Sequence, residues 1–173
     1  KGQKARHADH QQQQRQRMAA GGGSGWTRAR VLRDPRFYIL LPSYLSMSFV
    51  STGFFFHQVH LIEAKGWPLS LFAGFFVIYA IAQTCASLAT GALVDRFGAV
   101  RLMRVYLLPA VLALAFLALV DAPWGGAAFM VFLGLSAGAV AIVHGAVWAE
   151  VYGTAYLGAI KALGTSLMVF STA

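Results

Sequence analysis

Four unbroken apolar runs, at about 37–62, 69–94, 102–120 and 125–148, alternate with short polar breaks. A water-soluble helix keeps one continuous polar face, and these runs have none. Each reaches or approaches the ~20 residues that cross ~30 Å of hydrocarbon at ~1.5 Å per residue. A fifth run, 157–173, is still apolar where the chain stops. Barrel strands alternate apolar and polar residues over ~10 positions, and these runs do not alternate. The expected fold class is therefore all-α and integral to the membrane: a helical bundle with four complete transmembrane helices and a truncated fifth. Only 12% of residues are charged, against about a quarter in soluble domains.

The basic excess is placed by topology. Nine of the fourteen Lys and Arg lie between Lys1 and Arg36, ahead of the first run. Arg96, Arg101 and Arg104 follow the second run, and Lys161 follows the fourth. Lys65, after the first run, is the one basic residue on the opposite side. Loops rich in Lys and Arg stay in the cytoplasm, so the tail and the break after the second run are expected there. A basic patch on a soluble surface would point to nucleic acid. Here the charge sits beside membrane spans, and no nucleic-acid partner is expected. Trp67 and Trp124 fall on the other side, where interfacial aromatics are common.

Residues 1–30 are polar and low in complexity, with Gln11 to Gln14 and Gly21-Gly-Gly-Ser-Gly25. Such a segment buries too little apolar area to fold, and it is expected to be a disordered basic tail or linker, distinct from a membrane domain over 31–173. A native tail, a loop between two halves, and translation upstream of a start at Met18 all fit it. The first run is too long and too late for a signal peptide. The chain begins with Lys1 and ends inside an apolar run, so a longer parent protein is expected. Cys85 is the only cysteine, which leaves no intramolecular disulfide and no multi-cysteine metal site.

The break after the second run reads Gly91-Ala-Leu-Val-Asp95-Arg96-Phe-Gly98-Ala-Val-Arg101. It resembles the Gly-x3-Asp-Arg-x-Gly loop motif of the major facilitator superfamily of secondary transporters. The His57-Gln58-Val59-His60-Leu61-Ile62-Glu63 stretch followed by Gly66-Trp67 is similar to bacterial members. So is Trp148-Ala-Glu150-Val-Tyr152-Gly153 with Leu157-Gly158. The nearest branch in flavour includes monocarboxylate-type transporters. The resemblance implies two six-helix halves, with these spans matching helices seven to ten and the start of eleven. A missing N-terminal half and a bacterial inner (plasma) membrane location are implied as well. A first half, with the tail as true N-terminus, is the less favoured variant. The motif departs from its commonest form: Ala99 and Val100 occupy places usually basic, which puts its gating strength in doubt.

The residues themselves suggest roles for the loop. Gly91 would let a neighbouring helix approach, and Gly98 would permit a tight turn. Asp95 can pair with Arg96, Arg101 or a helix N-terminus. A contact of this kind can hold one conformer and break in another, so Gly91, Asp95, Arg96, Gly98 and Arg101 form the candidate gating motif. The bland reading is a basic loop that only sets topology.

Further candidates for a substrate or proton path are His57, Gln58, His60, Tyr79, Gln83, His144 and Trp148. His57 and His60 share a helix face at the outer end of the first span, and His titrates near neutral pH. Their bland reading is a wetted helix end. His144 and Trp148 lie one turn apart near the cytoplasmic end of the fourth span, where stacking on a substrate competes with ordinary packing. Tyr79 and Gln83 sit near mid-membrane, where polar groups face protein or water. Ser43, Ser46, Ser51 and Thr52 are expected to bond their own helix backbone. Gly134 and Gly138 are spaced for close helix approach, with Gly145 on roughly the same face, and packing inside the bundle is preferred to dimerisation. Pro109 is expected to kink the third span.

The expected function is secondary active transport of a small solute by alternating access, with the site between two halves near the midplane. No catalytic residues, cofactor or metal are expected, and no ATP-binding loop is present. The expected partners are the lipid bilayer, a small-molecule substrate that the candidate histidines would couple to protons, and the missing half. The rival is a small polytopic accessory or assembly subunit without transport activity. A membrane enzyme using His57, His60 and Glu63 is disfavoured because His144 falls on the opposite face.

Overall fold

The computed structural model describes residues 28–154 and 156–172. Among them every regular element is helical. In chain order these are α1 (Arg28–Val31), α2 (Pro35–Lys65), α3 (Leu69–Phe97), α4 (Ala99–Leu102), α5 (Leu108–Leu119), α6 (Pro123–Tyr152) and α7 (Leu157–Thr172). The segment expected to be disordered lies outside the described residues up to position 27, and Arg28 to Arg30 are helical.

Three helices, α2, α3 and α6, are long and apolar enough to span a membrane. At 29 to 31 residues each is ~45 Å long, more than the hydrocarbon needs. Their starts follow from local chemistry. Asp34 caps α2 by accepting the Arg36 amide at 2.9 Å, and Pro35 follows at the first helical position, where a missing N–H costs nothing. Gly66 ends α2 in the left-handed conformation, φ 64°. The Trp67 amide reaches back to the Ile62 carbonyl at 3.0 Å, as this kind of helix stop requires.

The third expected span, 102–120, is not one helix. The chain makes the single turn α4, passes through successive turns at 103–107, and resumes as the 12-residue α5. A helix of that length covers ~18 Å. Pro109 supplies the physical reason. It has no N–H to give the Val105 carbonyl, which accepts the Leu108 amide instead, at 3.0 Å. Two neighbouring carbonyls find partners on other helices: Met103 O accepts the Ser43 hydroxyl at 3.2 Å, and Tyr106 O accepts the Ser136 hydroxyl at 3.0 Å. The expected kink is thus a full interruption, stabilised by serines of α2 and α6. α7, at 16 residues, is shorter than the three long spans.

The core is centred on α6, whose buried residues run from Gly125 to Tyr152. Its most extensive partner is α3, followed by α5. Glycine decides the α3–α6 contact. A Cβ at Gly134 would lie 2.6 Å from the Tyr79 carbonyl oxygen, and one at Gly138 would lie 2.2 Å from that of Gln83. Gly145 does not share the contact, because nothing lies within 4 Å of its Cβ position. Trp67, expected at the lipid interface, is buried. Its indole N–H donates to the Asp121 carbonyl at 2.6 Å, and its ring lies against Gly126, where a Cβ would come within 2.8 Å. Trp124 is 60% exposed. Lys65 pairs with the Asp121 carboxylate, so the end of α2 is clasped to the α5–α6 connection.

Candidate functional site

At the opposite end of the bundle, α3 terminates in the Asp95-Arg96-Phe97-Gly98 break. Gly98 takes φ 83° and ψ 152°, a region that favours glycine. Its own amide closes α3 on the Val94 carbonyl at 2.9 Å. The next two amides, at the start of α4, share an acceptor on another helix. Both are received by one carboxylate: Glu150 Oε2 accepts from Ala99 N at 2.5 Å and from Val100 N at 3.3 Å. Glu150 belongs to the last turn of α6, so a side chain of one long helix holds the loop that leaves another. The two first amides of α4 have no helical acceptor of their own, and a negative group there also suits the helix dipole. The fit around Gly98 is tight, since a Cβ would lie 3.0 Å from Glu150 Oε1.

The other motif residues are arranged more openly. Asp95, Arg96 and Arg101 are exposed. The Arg96 guanidinium lies 5.4 Å from the Phe97 ring centroid. The ion pair seen among the described residues is Lys65–Asp121, at the far end. Asp95 therefore makes no salt bridge with Arg96 or Arg101 in this conformer. Gly91, expected to admit a close neighbour, has nothing within 4 Å of its Cβ position.

A second cluster lies just inside this end. His144 of α6 stacks on Tyr44 of α2, with ring centroids 4.0 Å apart and planes at 21°. Its Nε2 is 3.3 Å from the Tyr106 hydroxyl. That hydroxyl donates its one proton to the Ser43 carbonyl. The contact to His144 then requires a proton on Nε2. Trp148 is fully buried, 5.2 Å from Tyr44 and 5.5 Å from Phe37 between ring centroids. Its indole N–H has no hydrogen-bond partner among the described residues. His144 and Trp148 are thus brought together, with α2 as the helix they pack against.

The remaining candidates are scattered. His57 is exposed, with Nδ1 at 2.9 Å from the Gly53 carbonyl of its own helix. It edges a cleft of about 270 Å³ between α2 and α5. His60 is exposed and Gln58 half-buried. Tyr79 and Gln83 are half-buried, and their backbone carbonyls meet Gly134 and Gly138 at the α3–α6 crossing. Of the serines, Ser46 bonds its own helix at the Pro42 carbonyl, 2.6 Å away, while Ser43 reaches Met103.

Sequence reasoning missed Glu150, Tyr106, Tyr44 and Ser136. The available signals were a carboxylate at a span end opposite an unusual Gly-Ala-Val stretch, and a proline three residues after Tyr106 that frees nearby carbonyls.

A family model described as the Major Facilitator Superfamily matches residues 4–173. The chain belongs to that superfamily. No curated protein and no solved structure matches it. The match starts within the segment set apart above as a tail. Superfamily membership and three long apolar helices together make the chain an integral membrane protein of the transporter class, with the bilayer and a small-molecule substrate as its partners. The superfamily's activity is transport rather than catalysis.

Proposed function

We propose that this chain is part of a secondary active transporter that moves a small solute by alternating access, and that Gly91, Asp95, Arg96, Gly98 and Arg101 lie on its cytoplasmic gating loop. The observation that carries the gating reading is the single carboxylate contact from Glu150 to the Ala99 and Val100 amides. It joins the end of α6 to the loop leaving α3 through two hydrogen bonds at an exposed rim. Such bonds to a charged group contribute ~1.5–3 kcal/mol, enough to favour one conformer without locking it. Asp95 and Arg101, unpaired in this conformer, are available to a partner presented in another. Residues 1–30 serve as a cytoplasmic tail or linker ahead of a membrane domain over 31–173, in a bacterial inner membrane.

The solute path runs between this bundle and a second half, in the manner of transporters with sites near the midplane. His144 and Trp148 border it near the cytoplasmic end, Tyr79 and Gln83 near its middle, and His57, Gln58 and His60 at its outer mouth. The monocarboxylate-type resemblance makes small carboxylates with proton coupling the first solutes to try.

The test uses the whole polypeptide that carries these residues, reconstituted in liposomes with a panel of labelled carboxylates, sugars and amino acids. Uptake of at least one solute should respond to a proton or ion gradient. Asp95→Asn should then reduce that uptake ~10-fold or more with insertion unchanged. Wild-type rates in Asp95→Asn remove the gating role, and gradient-independent equilibration of every solute removes secondary active transport.

A further inference from the structure

At the basic end of the bundle a cavity of about 730 Å³ opens between α2, the 103–107 turns and the end of α6. Arg36 and Arg104 line it, with Ile39, Leu40, Leu107 and Val151 as its apolar wall. A shallower depression of about 480 Å³ adjoins it and shares Arg36, adding Arg30, Arg33 and Asp34 to the rim. Neither Arg36 nor Arg104 forms an ion pair among the described residues. Glu150 also borders the cavity, but its Oε2 is engaged by the Ala99 and Val100 amides. Those bonds leave its charge in place, so Arg30, Arg33, Arg36 and Arg104 stand against two carboxylates, Asp34 and Glu150, and the net character of the rim is cationic.

A separate apolar cleft lies further along α2, against α5. It is the cleft of about 270 Å³, lined by Phe49, Val50, Phe54, Leu114 and Leu117. From Arg36 to Val50 along α2 is ~21 Å at ~1.5 Å per residue, comparable with an extended acyl chain. Ile39, in the cavity wall, is 75% exposed.

We propose that the cavity and the cleft together form a binding site for an anionic membrane phospholipid, with its phosphate between Arg36 and Arg104 and an acyl chain running along α2 into the α2–α5 cleft. Arginine forks match phosphate oxygens two at a time, and basic pockets between transmembrane helices suit lipid headgroups. A free phosphate would use the rim alone. The apolar cleft below the rim favours the lipid as the source. Glu150 borders the rim and His57 the cleft, so the site adjoins residues of the transport reading, but the two arginines that hold the phosphate have no part in that reading.

The whole polypeptide, purified in mild detergent, should be incubated with phosphatidylglycerol or phosphatidylcholine and examined by native mass spectrometry. One phosphatidylglycerol per copy should be retained, and phosphatidylcholine should not. Arg36→Gln with Arg104→Gln should lower retention ~10-fold, as loss of two charge-assisted contacts implies. The doubly conservative Arg36→Lys with Arg104→Lys should keep most of it, and Lys161→Gln all of it. Gly53 borders the cleft and has open space at its Cβ position, so Gly53→Leu adds a side chain where the acyl chain would lie. It should weaken lipid retention while the protein stays folded by circular dichroism. Equal retention of both lipids, or unchanged retention in the double Gln variant, overturns the proposal. So does a full lack of retained lipid, which would mean that protein covers the site. Displacement by inorganic phosphate with no effect of Gly53→Leu would assign the rim to a free anion and overturn the lipid as ligand.

Discussion

At Gly98 the backbone turns with φ 83° while the Glu150 carboxylate lies against the Cα, so backbone conformation and side-chain contact reinforce each other. Gly98→Ala meets both obstacles. It should destabilise the protein by ~1–3 kcal/mol, the usual cost of holding a non-glycine residue in such a region, read as a lower thermal midpoint in detergent. An unchanged midpoint would mean that the loop has other conformations of equal free energy. Glu150→Ala tests the partner. The Ala99 and Val100 amides lose their acceptor and should exchange with deuterium about tenfold faster, corresponding to a lost hydrogen bond, while amides in the middle of α6 keep their protection. Equal exchange in both proteins would remove Glu150 as the cap. Inside the same end, His144 has a packing role and a polar role that substitution separates. His144→Phe retains a ring for Tyr44 to stack on, and the Tyr106 hydroxyl still has the Ser43 carbonyl. His144→Ala removes the ring and leaves a cavity, costing ~2–4 kcal/mol by analogy with other large-to-small changes. If Phe costs as much as Ala, the hydrogen bond rather than the stack dominates.

Between elements, the α3–α6 crossing makes the sharpest contrast. A Cβ at Gly138 would penetrate to 2.2 Å of the Gln83 carbonyl oxygen, which is backbone and cannot rotate away. Gly138→Ala should therefore separate the helices and cost ~1–3 kcal/mol or more. Gly145→Ala has open space and improves helix propensity, so its midpoint should equal or exceed the wild type. Equal loss of stability in both variants would show that the crossing does not control folding. This pair also shows what was legible in the chain. The Gly-x3-Gly spacing marks a face for close approach, and the face is used. Spacing alone does not say how far along α6 the crossing extends, and Gly145 lies beyond it. Three long helices were readable because apolar length is a local property. The interruption at 103–107 was only half readable. Pro109 announces a disturbance, but the serine hydroxyls that accept its consequences come from positions 43 and 136, far away in the chain. The position of Trp67 in the break opposite the basic loops suggests an interfacial anchor. Gly126, on another helix, gives its ring a buried place. The loop motif was recognisable as a string, yet its partner Glu150 lies 51 residues from Ala99, and no periodicity connects them.

For the molecule as a whole, the two ends differ in charge and in how they are closed. One end has Lys65 clasped to Asp121 beneath Trp67. The other has the Ala99–Glu150 contact among Arg36, Arg96, Arg101 and Arg104. Positively charged loops resist translocation, so the second end should face the cytoplasm. The single cysteine makes this testable by sided labelling. In a Cys85→Ala background, one cysteine is placed at Phe97, 45% exposed at the basic end, or at Ala122, exposed in the α5–α6 connection. A membrane-impermeant maleimide added to intact cells should label Ala122→Cys, and should label Phe97→Cys only after permeabilisation. The reverse pattern would invert the orientation, place the Gly98 turn outside and contradict the proposed cytoplasmic gating role. Labelling of both in intact cells would mean that the three long helices do not carry the chain across in the order that α2, α3 and α6 require. The expected pattern links the smallest feature to the largest. If the Gly98 turn faces the cytoplasm, the Glu150 contact joins the ends of α3 and α6 on that side, where the proposed gating role requires it.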